Sequence, residues 1–112
     1  MTTAESMAEL RLEVNRARAL VREAEDALHE AKVLVLTHLY REHPGKALGE
    51  NEAERKNKAD VAFLMDDPCV QALERLRAAQ TALGVFEATL AGAEDMRRER
   101  EYELRVRELD AR

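Results

Sequence analysis

Tryptophan is absent from this chain, and it carries one cysteine, two prolines, four glycines, two tyrosines and two phenylalanines in 112 residues. Each scarcity excludes something. A single cysteine, Cys69, cannot form an intramolecular disulfide or a redox pair, and that fits a reducing compartment. An aromatic fraction of 4% leaves little with which to stack nucleobases. The longest apolar cluster, residues 33–36, is far too short to cross a bilayer. The opening MTTAESMAEL carries acid and no apolar run, so it predicts neither a signal peptide nor a membrane anchor and points to the cytoplasm.

Candidate chemistry is scarce too. Gly45 and Gly49 match no phosphate loop, because the GKAL that begins at Gly45 lacks the required GKS or GKT ending. His29, His38 and His43 are nine and five apart, which scatters their rings, whereas paired zinc ligands on a helix stand four apart. The adjacent carboxylates Asp66 and Asp67 would point apart on one helical turn, so they suit a helix cap better than acid–base work across a cleft. No serine, cysteine and histidine arrangement suggests a nucleophile. The sequence therefore predicts no catalytic, metal or cofactor-binding residue, and no enzyme activity.

What the chain does have is regular. Hydrophobic residues make up 46% and charged residues 37%, dominated by Ala, Leu, Glu and Arg, all good helix formers. Two heptad seams step by three and four without a miss. The first is Met7, Leu10, Val14, Ala17, Val21, Ala24, Leu28, Ala31, Val35 and His38. The second is Ala62, Met65, Cys69, Ala72, Leu76, Ala79, Leu83, Phe86, Leu90 and Ala93. An average step of 3.5 residues is the period of a left-handed coiled coil. In the seams, Cys69 is expected as a small buried hydrophobe and His38 as a buried polar layer that fixes register.

Breakers set the elements. Thr2 or Thr3 can cap a first helix over about 4–42, which ends before Pro44 because a residue preceding proline leaves the helical region. The segment HPGKALGEN, about 43–51, is the loop, and Asn51 with Glu54 supplies the next capping box. The heptad phase crosses Pro68 undisturbed, which favours one long helix over about 52–110, bent or frayed at Asp67 and Pro68. A sharp break is the alternative.

Residues 1–112 thus read as a single all-α domain, a long antiparallel helical hairpin. One register sets Met7 against Ala93 and His38 against Ala62, and another is one heptad tighter; both oppose large side chains with small ones. Two helices bury too little to be stable alone. Leu34, Leu36, Leu39, Tyr40, Phe63 and Leu64 make the loop end apolar on nearly every face, so the hairpin is expected to dimerise there into a four-helix bundle. Beyond Ala93 the seam is taken over by Arg97 and Arg100. A new short stripe of Tyr102, Val106 and Leu109 then begins on another face, in an arm that extends past the first helix.

The arm also carries Arg98, Arg105 and Arg107, but glutamates interleave them, and the formal net charge is −5 with a pI of about 5.3. That balance disfavours nucleic acid as a partner. The expected function is a non-enzymatic coiled-coil scaffold or protein-interaction module, self-associating and bound to a protein partner. The alternatives are a nucleic-acid-associated accessory factor contacting phosphates through Arg97, Arg98, Arg100, Arg105 and Arg107 with Tyr102, or a non-catalytic subunit of a larger enzyme.

One stretch adds a resemblance. LGENEAERKNKADVAFLMDDP, with Asn51, Glu52 and Arg55 at its turn and a long Ala/Leu/Glu/Arg helix after it, resembles small helical accessory proteins of bacteriophages and prophages. The resemblance covers about half the chain. It implies a role among replication or recombination factors in a host cytoplasm, and no catalytic residue.

Overall fold

The computed structural model describes residues 4–44 and 49–111. These hold three α-helices and no strand: α1 (Ala4–Glu42), α2 (Glu52–Met65) and α3 (Asp67–Asp110). The expected Thr2 or Thr3 cap, and the middle of the expected loop, lie outside the described residues. The chain divides into two compact units, Met1–Ala19 with Gln80–Arg112, and Leu20–Ala79. Both α1 and α3 contribute a stretch to each.

Nothing in α1 interrupts its hydrogen-bond ladder, because it contains no glycine or proline over 39 residues. In the first unit, α1 buries Met7, Val14 and Ala17, and α3 buries Ala93 with Leu83, Phe86 and Leu90 half-buried. Arg11 Nη2 lies 3.8 Å from Glu94 Oε1, and Arg18 Nε lies 3.7 Å from Glu87 Oε1. One heptad along α1 is matched by one heptad back along α3, so the two stretches run antiparallel. Such exposed pairs are worth only about 0.2–1 kcal/mol each, and the apolar seam between them holds the unit.

In the second unit, Val21, Ala24, Cys69 and Ala72 are buried, while Leu28, Ala31, Val35 and Leu76 remain half-buried. Coverage by the facing helix thins toward the end of α1, where even the small side chain of Ala31 is only half-buried. Val35 and His38 share a groove with Ala62, Met65 and Asp66, so the last turns of α1 lie beside the end of α2. His38 itself is exposed and forms no buried polar layer in the chain. The seam it ends has opened to solvent by that point.

The second helix is not continuous. Asp66 is extended (φ −97°, ψ 114°) and separates α2 from α3. Pro68 is the cause: in an unbroken helix its ring would collide with the Leu64 carbonyl and offer it no N–H. Asp66 serves both ends of the break. Its amide donates to Phe63 O at 3.3 Å, its carbonyl accepts from Val70 N at 3.0 Å, and its Oδ2 accepts from Cys69 N at 3.1 Å. It is therefore the N-cap of α3, with Asp67 and Pro68 in the first turn, where proline's missing donor costs nothing.

The break also cancels the phase that had argued against it. In α2 the half-buried positions are Arg55, Ala59, Ala62 and Phe63, whereas the heptad residue Met65 is 81% exposed. The second seam begins in effect at Cys69.

Candidate interaction surfaces

The start of α2 is built locally. Asn51 Oδ1 accepts from Glu54 N at 2.9 Å, and Glu54 Oε2 accepts from Glu50 N at 3.0 Å, a capping box whose return arm lands one residue upstream of the N-cap. Arg55 Nη1 donates to Gly49 O at 3.4 Å. Gly49 is buried at φ +154°, and a Cβ there would stand 2.8 Å from Glu54 Cβ. Asn51 and Arg55, which carry the resemblance to phage accessory proteins, thus both hold this turn together.

The six residues expected at the apolar loop end divide into two groups. Leu36, Leu39 and Phe63 are half-buried and belong to the chain's own packing. Leu34, Tyr40 and Leu64 are exposed, at 64%, 55% and 69%. Val33 and Val61, in the apolar stretches of the same two helices, are exposed as well. Met65, which the heptad phase places in the seam, is exposed too.

Beside this surface is a groove of about 240 Å³ whose floor includes Leu28, Phe63, Cys69 and Leu73. Lys32 Nζ lies 5.2 Å from the Phe63 ring centroid, a cation–π contact that lets a half-buried lysine cross apolar surface. Cys69 lies in the first turn of α3, a place that ordinarily lowers a thiol pKa. Here burial pushes it up, the hydrogen bond with Asp66 and the charge of that carboxylate add to the rise, and Lys32 offsets part of it. The thiol is held protonated at neutral pH and is a poor nucleophile.

The histidines His29, His38 and His43 are all exposed. Among the described residues no three His, Cys, Asp or Glu side chains are placed to hold a metal ion. Asp66 acts as a cap, as its position suggested, and no helix of the described residues is long and apolar enough to cross a membrane.

After Glu94 no described residue of α3 is buried, and Arg97, Arg98, Arg100, Tyr102, Arg105 and Arg107 all stand on its surface. Arg97 Nε pairs with Glu101 Oε1 at 3.3 Å and Arg98 Nη1 with Asp95 Oδ1 at 3.8 Å, both within the helix. These are the three- and four-residue pairs of a solvated helix face. No family model, curated protein or solved structure matches this chain. Two features of the described residues stay open to solvent: large apolar side chains on α1 and α2 in the second unit, and the charged end of α3.

Proposed function

We propose that this protein is a non-enzymatic coiled-coil scaffold, a helical hairpin that self-associates into a four-helix bundle and binds another macromolecule, in the cytoplasm. The observation that carries this reading is the set of large apolar side chains left open in the second unit: Leu34, Tyr40, Val61, Leu64 and Met65. Large apolar side chains left in water are the ones a partner would cover. They stand on α1 and α2, beside half-buried Leu36, Leu39 and Phe63, so a second copy laid there would deepen a core that one chain leaves thin. The net charge of −5 and the intrahelical pairing of Arg97 and Arg98 weigh against phosphate binding as the main task.

Light scattering at micromolar concentration tests the first half of the proposal. The wild-type chain is expected as a dimer. The double variant Leu34→Glu, Leu64→Glu, which changes only exposed positions, is expected as a monomer that keeps its helical circular dichroism. A monodisperse, folded wild-type monomer overturns the reading.

A further inference from the structure

The end of α3 carries a second heptad stripe, on the side away from the seam that faces α1. Tyr102, Val106 and Leu109 step by four and three, and all are exposed, Tyr102 at 70% and Leu109 at 67%. With Tyr102 and Leu109 at d and Val106 at a, the flanking g positions are Arg98 and Arg105 and the flanking e positions are Glu103 and Asp110.

That arrangement selects an occupant and an orientation. When two parallel helices pair, each g residue meets the e residue five positions later on its neighbour. For two copies of this helix, Arg98 would meet Glu103 and Arg105 would meet Asp110, twice over by symmetry, and every pair is attractive. In an antiparallel pair, g meets g and e meets e. Arginine would then face arginine, and glutamate and aspartate would face each other. The next a position back along the helix is Glu99, which would oppose its own copy, so the stripe is self-complementary only from Tyr102 onward.

We propose that the ends of α3 from two copies of this chain pair in parallel and in register through Tyr102, Val106 and Leu109. The contact rests on the self-association proposed above and names a second place where the copies meet. It covers a stripe that no described residue of the chain itself covers. It also ties Arg98 and Arg105 to a second copy rather than to nucleic acid.

The test uses two full-length variants. Arg98→Glu with Arg105→Glu makes all four flanking positions acidic, and Glu103→Arg with Asp110→Arg makes all four basic. Each alone is expected to self-associate on the order of tenfold more weakly than wild type, because four attractive pairs become repulsive. Mixed and labelled with a fluorescent donor and acceptor, they are expected to form mixed dimers in preference to either homodimer. Separately, Leu109→Cys in a Cys69→Ala background is expected to give a disulfide linking residue 109 of one copy to residue 109 of the other under mild oxidation, as parallel pairing in register requires. Circular dichroism matching wild type shows that each variant is folded. If wild type is a dimer but the variants mix statistically, or residue 109 fails to cross-link, this contact is overturned and the scaffold reading stands. If wild type is a monomer, both fall.

Discussion

The first and second heptad seams are equal in length and regularity, yet one becomes a single helix and the other becomes two. Over 39 residues α1 has no break, while the second seam is cut at Asp66. The difference comes from one ring. A heptad pattern records which side chains are apolar and is blind to a single missing backbone donor. Pro68 removes that donor, Asp66 turns extended to accommodate it, and at that one residue the chain no longer advances by a helical step. The seam spacing across the break therefore says nothing about which way Met65 faces, and it faces water.

The largest effect should separate the two ends of the first seam. Val21 is buried in the middle of α1, and His38 at its far end is exposed. Val21→Asp places an unpartnered carboxylate in the core and should cost about 3–5 kcal/mol, enough to unfold so small a protein. His38→Ala should stay within about 0.5 kcal/mol of wild type in the free chain. Urea denaturation followed by circular dichroism measures both. A large loss at His38 in a verified monomer would restore the buried polar layer that the heptad phase suggested.

Gly49→Ala comes next. The added methyl would meet Glu54 Cβ at 2.8 Å, on a residue whose positive φ already disfavours any side chain. A cost of about 1–3 kcal/mol is expected, read as a lower melting temperature with the loss of amide protection concentrated in α2. If α2 melts while the rest of the protein holds, the second unit is the less stable of the two.

Much of this was legible in the sequence, and the reasons are local. Asn51 and Glu54 announce the start of α2 because a capping box needs only residues within one turn. Ala alternating with Leu and Val announces which helix faces meet. Two things were not legible. The direction in which Met65 points depends on the backbone at Asp66, one residue further along, where propensity allows either outcome. The division of Leu34, Leu36, Leu39, Tyr40, Phe63 and Leu64 into covered and open members depends on where α2 lies against α1, and a run that is apolar on all faces carries no phase from which to read that.

Asp66→Ala sharpens the comparison between the helices. It removes the acceptor for Cys69 N and should cost about 1 kcal/mol, the usual value of an N-cap. Adding Pro68→Ala restores a backbone donor and relieves the steric clash, so α2 and α3 should then join into one helix. Amide exchange tests this directly: protection should appear at residues 67 and 68 in the double variant, while residue 67 stays unprotected in Asp66→Ala alone. If the double variant still exchanges freely there, packing of α2 against α1 sets the break, and the proline is a consequence of it.

The smallest effect lies at the same junction and concerns pH. The folded-state pKa of Cys69 is raised by burial and by Asp66. A group whose pKa is higher folded than unfolded contributes stability fully below its unfolded value, about 8.5 for a thiol, and loses it as pH climbs through the folded value. Wild-type stability should therefore fall above the unfolded thiol value of about 8.5 more steeply than that of Cys69→Ala, whose missing thiol leaves only the loss common to both. The slope of the denaturation midpoint against pH is the quantity to compare, since the absolute stability of Cys69→Ala also reflects the lost side-chain volume. Asp66→Asn, which keeps a cap oxygen but discards the charge, should fall between the two slopes. Identical slopes in all three would mean that Cys69 gains water access when it titrates, and that the first turn of α3 opens before the thiol ionises.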